Sequence, residues 1–178
     1  MPTTHPLLLS PAPSQCSLEM LTHHYGDVYE HSPWVAEAAW QHGLSAAHDA
    51  PDALAELMGL MLQQASSEQQ IKVIQAHPDL AGKAAMAGEL TQDSTSEQAG
   101  AGLDQCSPEE FSRFEYLNTA YKEKFGFPFV IAVKGLDRHD ILAAFEERLN
   151  NDAATERKTA IEQIIRIARF RLRARAEQ

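Results

Sequence analysis

His77 stands directly before Pro78, with Asp79 two residues on. An imidazole titrates near neutral pH, so a histidine can give or take a proton under physiological conditions. Pro78 disfavours helical geometry in the residue before it, so the helix predicted over SEQQIKVIQA must stop near His77. The end of a helix favours an imidazolium. That position suits an acid/base residue, and a C-capping or turn histidine is the alternative. A second group is Ser94-Thr95-Ser96-Glu97-Gln98. Ser94 and Glu97 are spaced as a capping box at a helix start. The free N–H groups of such a start receive anions. The hydroxyls and Gln98 would add neutral donors for a carboxylate, a urea or a ring carbonyl; routine capping is the alternative. The third candidate is Arg171, four residues after Ile167 and seven after Ile164. It lies beside the apolar stripe Ile161, Ile164, Ile165, Ala168 and Leu172, while Arg166 and Arg173 lie well off it. Its planar fork suits a carboxylate, and snorkelling at the edge of a core is the alternative.

The segment GFPFVIAVKG, residues 126–135, breaks the helical pattern around it. Pro128 and a β-branched apolar run between glycines read as one strand or a buried extended stretch. No second strand candidate exists to pair with it, so its backbone N–H and C=O groups must find other partners. Such a segment in an all-helical chain either lines a ligand site or packs as core.

The elements that must position these residues are helical almost throughout, and the spacing predicts an all-α bundle of about seven to nine helices. Ser17 caps a helix through Tyr25. Ser32 and Pro33 open one over Trp34–Trp40, with Gly43 as its stop. Asp49 and Pro51 introduce a helix with Leu54, Leu57, Met58, Met61 and Leu62 on one face. HPDLAGKAAMAGEL reads as a turn plus a small Ala-rich helix, followed by a break at Thr91–Ser94. Ser107-Pro108-Glu109-Glu110 opens a long helix, Asp137–Asp140 opens another, and Asp152 caps the last through about Ala176. Residues 1–16 are Pro-rich and read as a loose N-terminal segment. No internal repeat divides the chain, so residues 1–178 read as a single domain.

Composition narrows the function classes. The chain has 178 residues with 15 Lys plus Arg against 25 Asp plus Glu, a formal charge of -10. That balance argues against general nucleic-acid binding and against docking on anionic membranes. Cys16 and Cys106 form no CxxC pair, so a reduced compartment is expected. The N-terminus is a poor signal peptide and Ala-Glu-Gln at the end is no peroxisomal address, so the expected location is cytoplasmic. There is no GxGxxG, Walker loop, HExxH or GxSxG. The histidines are scattered, and neighbours such as His23 and His24 face different sides of a helix, so no metal is expected.

Five ordered segments together resemble the OHCU (2-oxo-4-hydroxy-4-carboxy-5-ureidoimidazoline) decarboxylases. They are SPWVAEAAW at 32–40, HPDLAGK at 77–83, STSEQAGAGLD at 94–104, FGFPFVIAVKG at 125–135 and the final ERKTAIEQIIRIARFRLR. The resemblance covers the chain from about Ser17 to Arg173. It implies an all-α fold, commonly a homodimer, no cofactor, and a small-molecule substrate, OHCU, decarboxylated to (S)-allantoin. That is the last step of urate oxidation. Carried over by position, His77 matches the catalytic histidine, Glu97 a catalytic-site glutamate and Arg171 the site arginine near the end. Pro78, Ser94, Thr95, Ser96, Glu97, Gln98, Phe129, Val130, Ile131, Ala132 and Val133 match substrate-binding positions. A cofactor-free lyase or hydrolase on a related ureide is the neighbouring expectation. A helical module that only binds a purine metabolite is the non-enzymatic one.

Overall fold

Eight α-helices and four short 3-10 turns carry the described residues, 6–82, 85 and 87–177, of a computed structural model. The α-helices are α1 Leu18–Tyr25, α2 Trp34–His42, α3 Pro51–Gln63, α4 Ser67–Gln75, α5 Gln92–Gly100, α6 Pro108–Phe125, α7 Arg138–Arg148 and α8 Ala153–Ala176. No strand occurs among the described residues. The fold is all-α, as the spacing predicts. None of the described helices is long and apolar enough to cross a membrane. The small Ala-rich helix expected after His77 falls largely on residues 83, 84 and 86, outside the described residues.

Two compact units divide the chain, one of Met1–Val73 with Ile165–Gln178 and the other of Ile74–Ile164. In the first, α3 buries Leu54, Leu57, Met58 and Leu62 of the expected face, together with Ala55, while Met61, expected on that face, is only half-buried. Gly59 lies against the later part of α8, where an added Cβ would stand 2.9 Å from Ile165 Cγ2. The segment expected to be loose is anchored from Leu9 onward, while Leu7 and Leu8 are exposed; Met1–His5 lie outside the described residues. Leu9 is buried and its N–H donates to the Asp49 carbonyl at 2.8 Å. Ser14 donates from both N–H and Oγ to the Asp49 carboxylate, and the Tyr25 hydroxyl donates to the Pro11 carbonyl. Prolines limit the freedom such a segment has to lose, so a few distant hydrogen bonds suffice to hold it.

The second unit is built around α6. It starts at Ser107 as expected, there through a capping box with Glu110, and its stop is Gly126 at φ 79°, a left-handed C-cap that a glycine adopts without steric cost. Phe114, Leu117, Asn118 and Tyr121 form its buried face. Tyr121 packs edge-on against Phe127, Phe129 and Phe145, and Phe129 stacks on Phe145 at 4.0 Å with 9° between the planes. α7 opens at Asp137 as expected, through a second capping box with Asp140, and buries Ile141, Phe145 and Arg148. α8 begins where Asp152 accepts from the Thr155 N–H at 2.7 Å.

Candidate active site

His77 follows the last turn of α4, where its N–H donates to the Ile74 carbonyl at 3.1 Å. The helix ends there for the expected reason, the proline at 78. The residue is 8% exposed. The turn that carries it is held by three side chains from two helices. Gln98 of α5 clamps both sides: its Oε1 accepts from the Ala81 N–H at 3.0 Å and its Nε2 donates to the Asp79 carbonyl at 3.3 Å. Asn118 of α6 donates from Nδ2 to the Leu80 carbonyl at 3.0 Å. One turn further along α6, Lys122 pairs with the Asp79 carboxylate at 2.7 Å.

The clamps hold a backbone that is locally strained. Ala81 sits at φ 51°, a left-handed conformation that side-chain-bearing residues rarely adopt. At Gly82 an added Cβ would stand 2.8 Å from Asp79 Cβ, a group with no freedom to swing away. Gly82→Ala is therefore expected to destabilise the protein by about 1–3 kcal/mol through overpacking. A differential scanning calorimeter would read this as a Tm lower by roughly 2–10 °C. An unchanged Tm would show that the turn has room to shift.

Ser94, Thr95, Ser96, Glu97 and Gln98 do not form a helix start. The N-cap of α5 is Thr91, whose side chain accepts from the Ser94 N–H at 3.2 Å, and the Thr95 N–H donates to the Thr91 carbonyl at 2.9 Å. The reason is that Thr91 is itself a good cap three residues before Ser94, so the helix begins one turn early. The N–H groups expected to meet an anion are thereby occupied. The helix phase instead sorts the side chains. Ser94 and Gln98, four apart, are buried; Glu97 is half-buried; Thr95 and Ser96 are exposed. Gln98, expected as a donor to a ligand, gives both ends of its amide to the His77 turn.

The segment after α6 is extended without being paired, as its sequence requires. Phe127, Phe129, Val130, Ala132 and Val133 are buried and Ile131 is half-exposed. The Val130 carbonyl accepts from Arg148 Nη1 at 2.7 Å, and the Ala132 N–H donates to Gln163 Oε1 at 2.9 Å. Between these anchored residues, Ile131 makes no backbone hydrogen bond to the protein among the described residues. It thus offers both a donor and an acceptor. The end of α4 and the start of this segment are linked as well, since Gln75 Nε2 donates to the Gly126 carbonyl at 3.1 Å. The His77 turn, through Asn118 and Lys122, and the 126–133 segment, through Tyr121, therefore share α6 as their scaffold.

Arg171 belongs to the other compact unit. The carboxylate it meets is Glu30, at 2.9 Å from Nη2, and its Nη1 donates to the Val28 carbonyl at 3.3 Å. Glu30 is 2% exposed and Arg171 5%. Ser32, expected to cap α2, donates its hydroxyl to the Glu30 carbonyl instead, at 2.8 Å. No group of three or more histidine, cysteine, aspartate or glutamate side chains able to hold a metal ion occurs among the described residues.

Comparison with known proteins decides the family. A sequence model described as OHCU decarboxylase matches residues 14–173. The chain is 41% identical over 151 residues to the 2-oxo-4-hydroxy-4-carboxy-5-ureidoimidazoline decarboxylase of Haloferax volcanii, covering 85% of this chain and 86% of that relative. This chain belongs to the OHCU decarboxylase family. Solved structures agree with that placement. A crystal structure of (S)-allantoin synthase superposes on this OHCU decarboxylase family member with a TM-score of 0.71 at 29% identity, over 92% of this chain and 52% of that one. A crystal structure of OHCU decarboxylase in the presence of (S)-allantoin shares the fold, with a TM-score of 0.66 at 20% identity, over 82% of this chain and 92% of that one.

Sequence reasoning missed Asn118, Arg148, Glu156 and Glu30. For three of them a signal existed. Asn118 interrupts the apolar register of Phe114, Leu117 and Tyr121. Arg148 continues that of Ile141 and Phe145 at spacings of four and three. Glu156 stands four residues before Ala160 and eight before Ile164. A polar residue at a core position needs a buried partner, and these three have one. Glu30 sits between helices, where no periodicity marks it.

Proposed function

We propose that this OHCU decarboxylase family member converts OHCU to (S)-allantoin in urate degradation, as a carboxy-lyase whose substrate supplies its own electron sink. The observation that carries the reading is one helix, α6, fixing both a buried histidine turn and an extended segment whose Ile131 amide is unengaged by the protein among the described residues. The carboxylate of OHCU leaves from a carbon next to a ring C=N. When the C–C bond breaks, its electron pair passes toward that C=N, as it would into a bound cofactor elsewhere. The 4-hydroxyl then loses its proton as its carbon becomes the carbonyl of allantoin, and a proton is delivered to one face of the ureido-bearing carbon.

In this reading His77 handles proton transfer, and Glu97, one residue before the clamping Gln98, works alongside it. Pro78 and the face of α5 that carries Ser94 line the same substrate site. Thr95 and Ser96, on the solvent side of α5, support that face from its exposed flank. The Phe129–Val133 backbone reads ring and ureido amides, with Ile131 offering both a donor and an acceptor. Burial makes each such hydrogen bond more discriminating than it would be in water. A homodimeric assembly and a cytoplasmic location accompany the reading as proposals.

The test is circular dichroism of allantoin formation, with OHCU generated in situ from urate by urate oxidase and hydroxyisourate hydrolase. The protein is expected to produce a fast rise of the (S)-allantoin signal. A trace no faster than spontaneous racemic decay would sink the proposal in favour of a non-catalytic binder or a lyase for another ureide.

A further inference from the structure

Arg148 and Glu156 form a buried ion pair in the second unit, Nε to Oε1 at 2.9 Å, with Glu156 wholly buried. The Tyr121 hydroxyl donates to the same Oε1 at 2.6 Å, and Asn151 Nδ2 donates to Oε2 at 3.0 Å. The guanidinium does two further things, both toward the 129–133 segment. Nη1 donates to the Val130 carbonyl at 2.7 Å, and the guanidinium carbon lies over the Phe129 ring, 4.4 Å from its centroid. Arg148 is thus the only side chain among the described residues to hold both the ring of Phe129 and the carbonyl of Val130.

A buried arginine–glutamate pair is poor at raising stability, because taking both charges out of water offsets their attraction. Stability alone therefore does not explain this one. Its geometry does. A planar fork can meet a carboxylate on one edge, a carbonyl on another and an aromatic ring with its face at the same time. Fixing Val130 from one side and, through Gln163, Ala132 from the other leaves the intervening Ile131 amide in one orientation. We propose that Arg148, itself oriented by Glu156 and Tyr121, is a positioning residue that sets the Ile131 backbone for substrate binding. This inference rests on the reading that the segment binds OHCU.

Two variants test it. Arg148→Met with Glu156→Gln removes both charges together, so no unpaired buried charge is left to unfold the protein. Arg148→Lys keeps a cation opposite Glu156 but loses the fork and the flat face. Steady-state kinetics on OHCU should show KM raised about tenfold in each, on the order of one net hydrogen bond, with kcat within about threefold of wild type. A purely structural role moves different numbers: it lowers the active fraction, and so the apparent kcat, at unchanged KM. An unchanged KM in Arg148→Lys, or in a double variant with native far-ultraviolet circular dichroism, overturns the proposal. If the double variant does not fold, Arg148→Lys decides alone. An inactive wild-type protein would overturn the functional reading and this inference with it, whereas an active wild type beside variants of normal KM would overturn only this inference.

Discussion

His77→Ala is expected to slow OHCU decarboxylation by roughly 10²–10⁴-fold, the usual contribution of one positioned acid/base group. The allantoin that still forms should be racemic, because spontaneous decay favours neither face. The fold should survive the substitution. The turn at 77–82 is held through the Ala81 N–H, the Asp79 and Leu80 carbonyls and the Asp79 carboxylate, and none of those four contacts uses the imidazole. Circular dichroism at the allantoin band measures rate and handedness together, and a thermal scan of the same sample reports folding. A variant that kept most of kcat, or kept the (S) excess at a lower rate, would remove the proton-transfer role from His77. The contrast with Gly82→Ala is informative, since that change strains the turn while leaving the imidazole present. A loss of activity shared by both variants would report turn geometry, and a loss confined to His77→Ala would report the ring.

How much of this was legible before the structure depends on the range of the interaction concerned. Helices α3, α6, α7 and α8 could be read because periodicity and capping are local; Ser107, Asp137 and Asp152 open theirs as expected. The unpaired segment at 126–135 could be read too, since a β-branched run behind Pro128 with no partner strand has few other solutions. The cap of α5 was misplaced because Ser94 and Thr91 are both good caps three residues apart, and only the fold chooses between them. The anchoring of Pro11 and Ser14 has no local signal, because their partners, Tyr25 and Asp49, act at separations of 14 and 35 residues. The clamps on the His77 turn are of the same kind. Gln98 reaches back 19 residues to Asp79, and Asn118 reaches back 38 to Leu80. No composition or period reports a contact of that length; at most, a polar residue in an apolar register announces that some partner exists.

The second large effect concerns Arg171, and it falls on stability. Arg171→Met is expected to destabilise the protein by about 3–5 kcal/mol, because the buried Glu30 carboxylate loses the guanidinium that meets it at 2.9 Å. For a chain of this size that corresponds to a Tm lower by roughly 10 °C. Glu30 is held from both directions, since the Ser32 hydroxyl fixes its carbonyl and Arg171 its carboxylate. The carboxylate therefore has little freedom to swing into water when the guanidinium is lost. Glu30→Gln alone should cost less, as a neutral amide can still accept from the arginine, although a buried cation is then left uncompensated. The double variant Glu30→Gln with Arg171→Met removes both charges and should recover much of the loss. The two residues touch, so the double-mutant cycle should depart from additivity by on the order of 1–3 kcal/mol. Calorimetry on the four proteins gives that coupling directly. Additive losses would mean that the pair is screened by water and that the burial of both side chains does not govern its energetics. A large coupling would establish Arg171 first as the counter-ion of Glu30. Any change in OHCU turnover by Arg171→Met would then have to be corrected for the folded fraction before a role toward substrate is drawn from it.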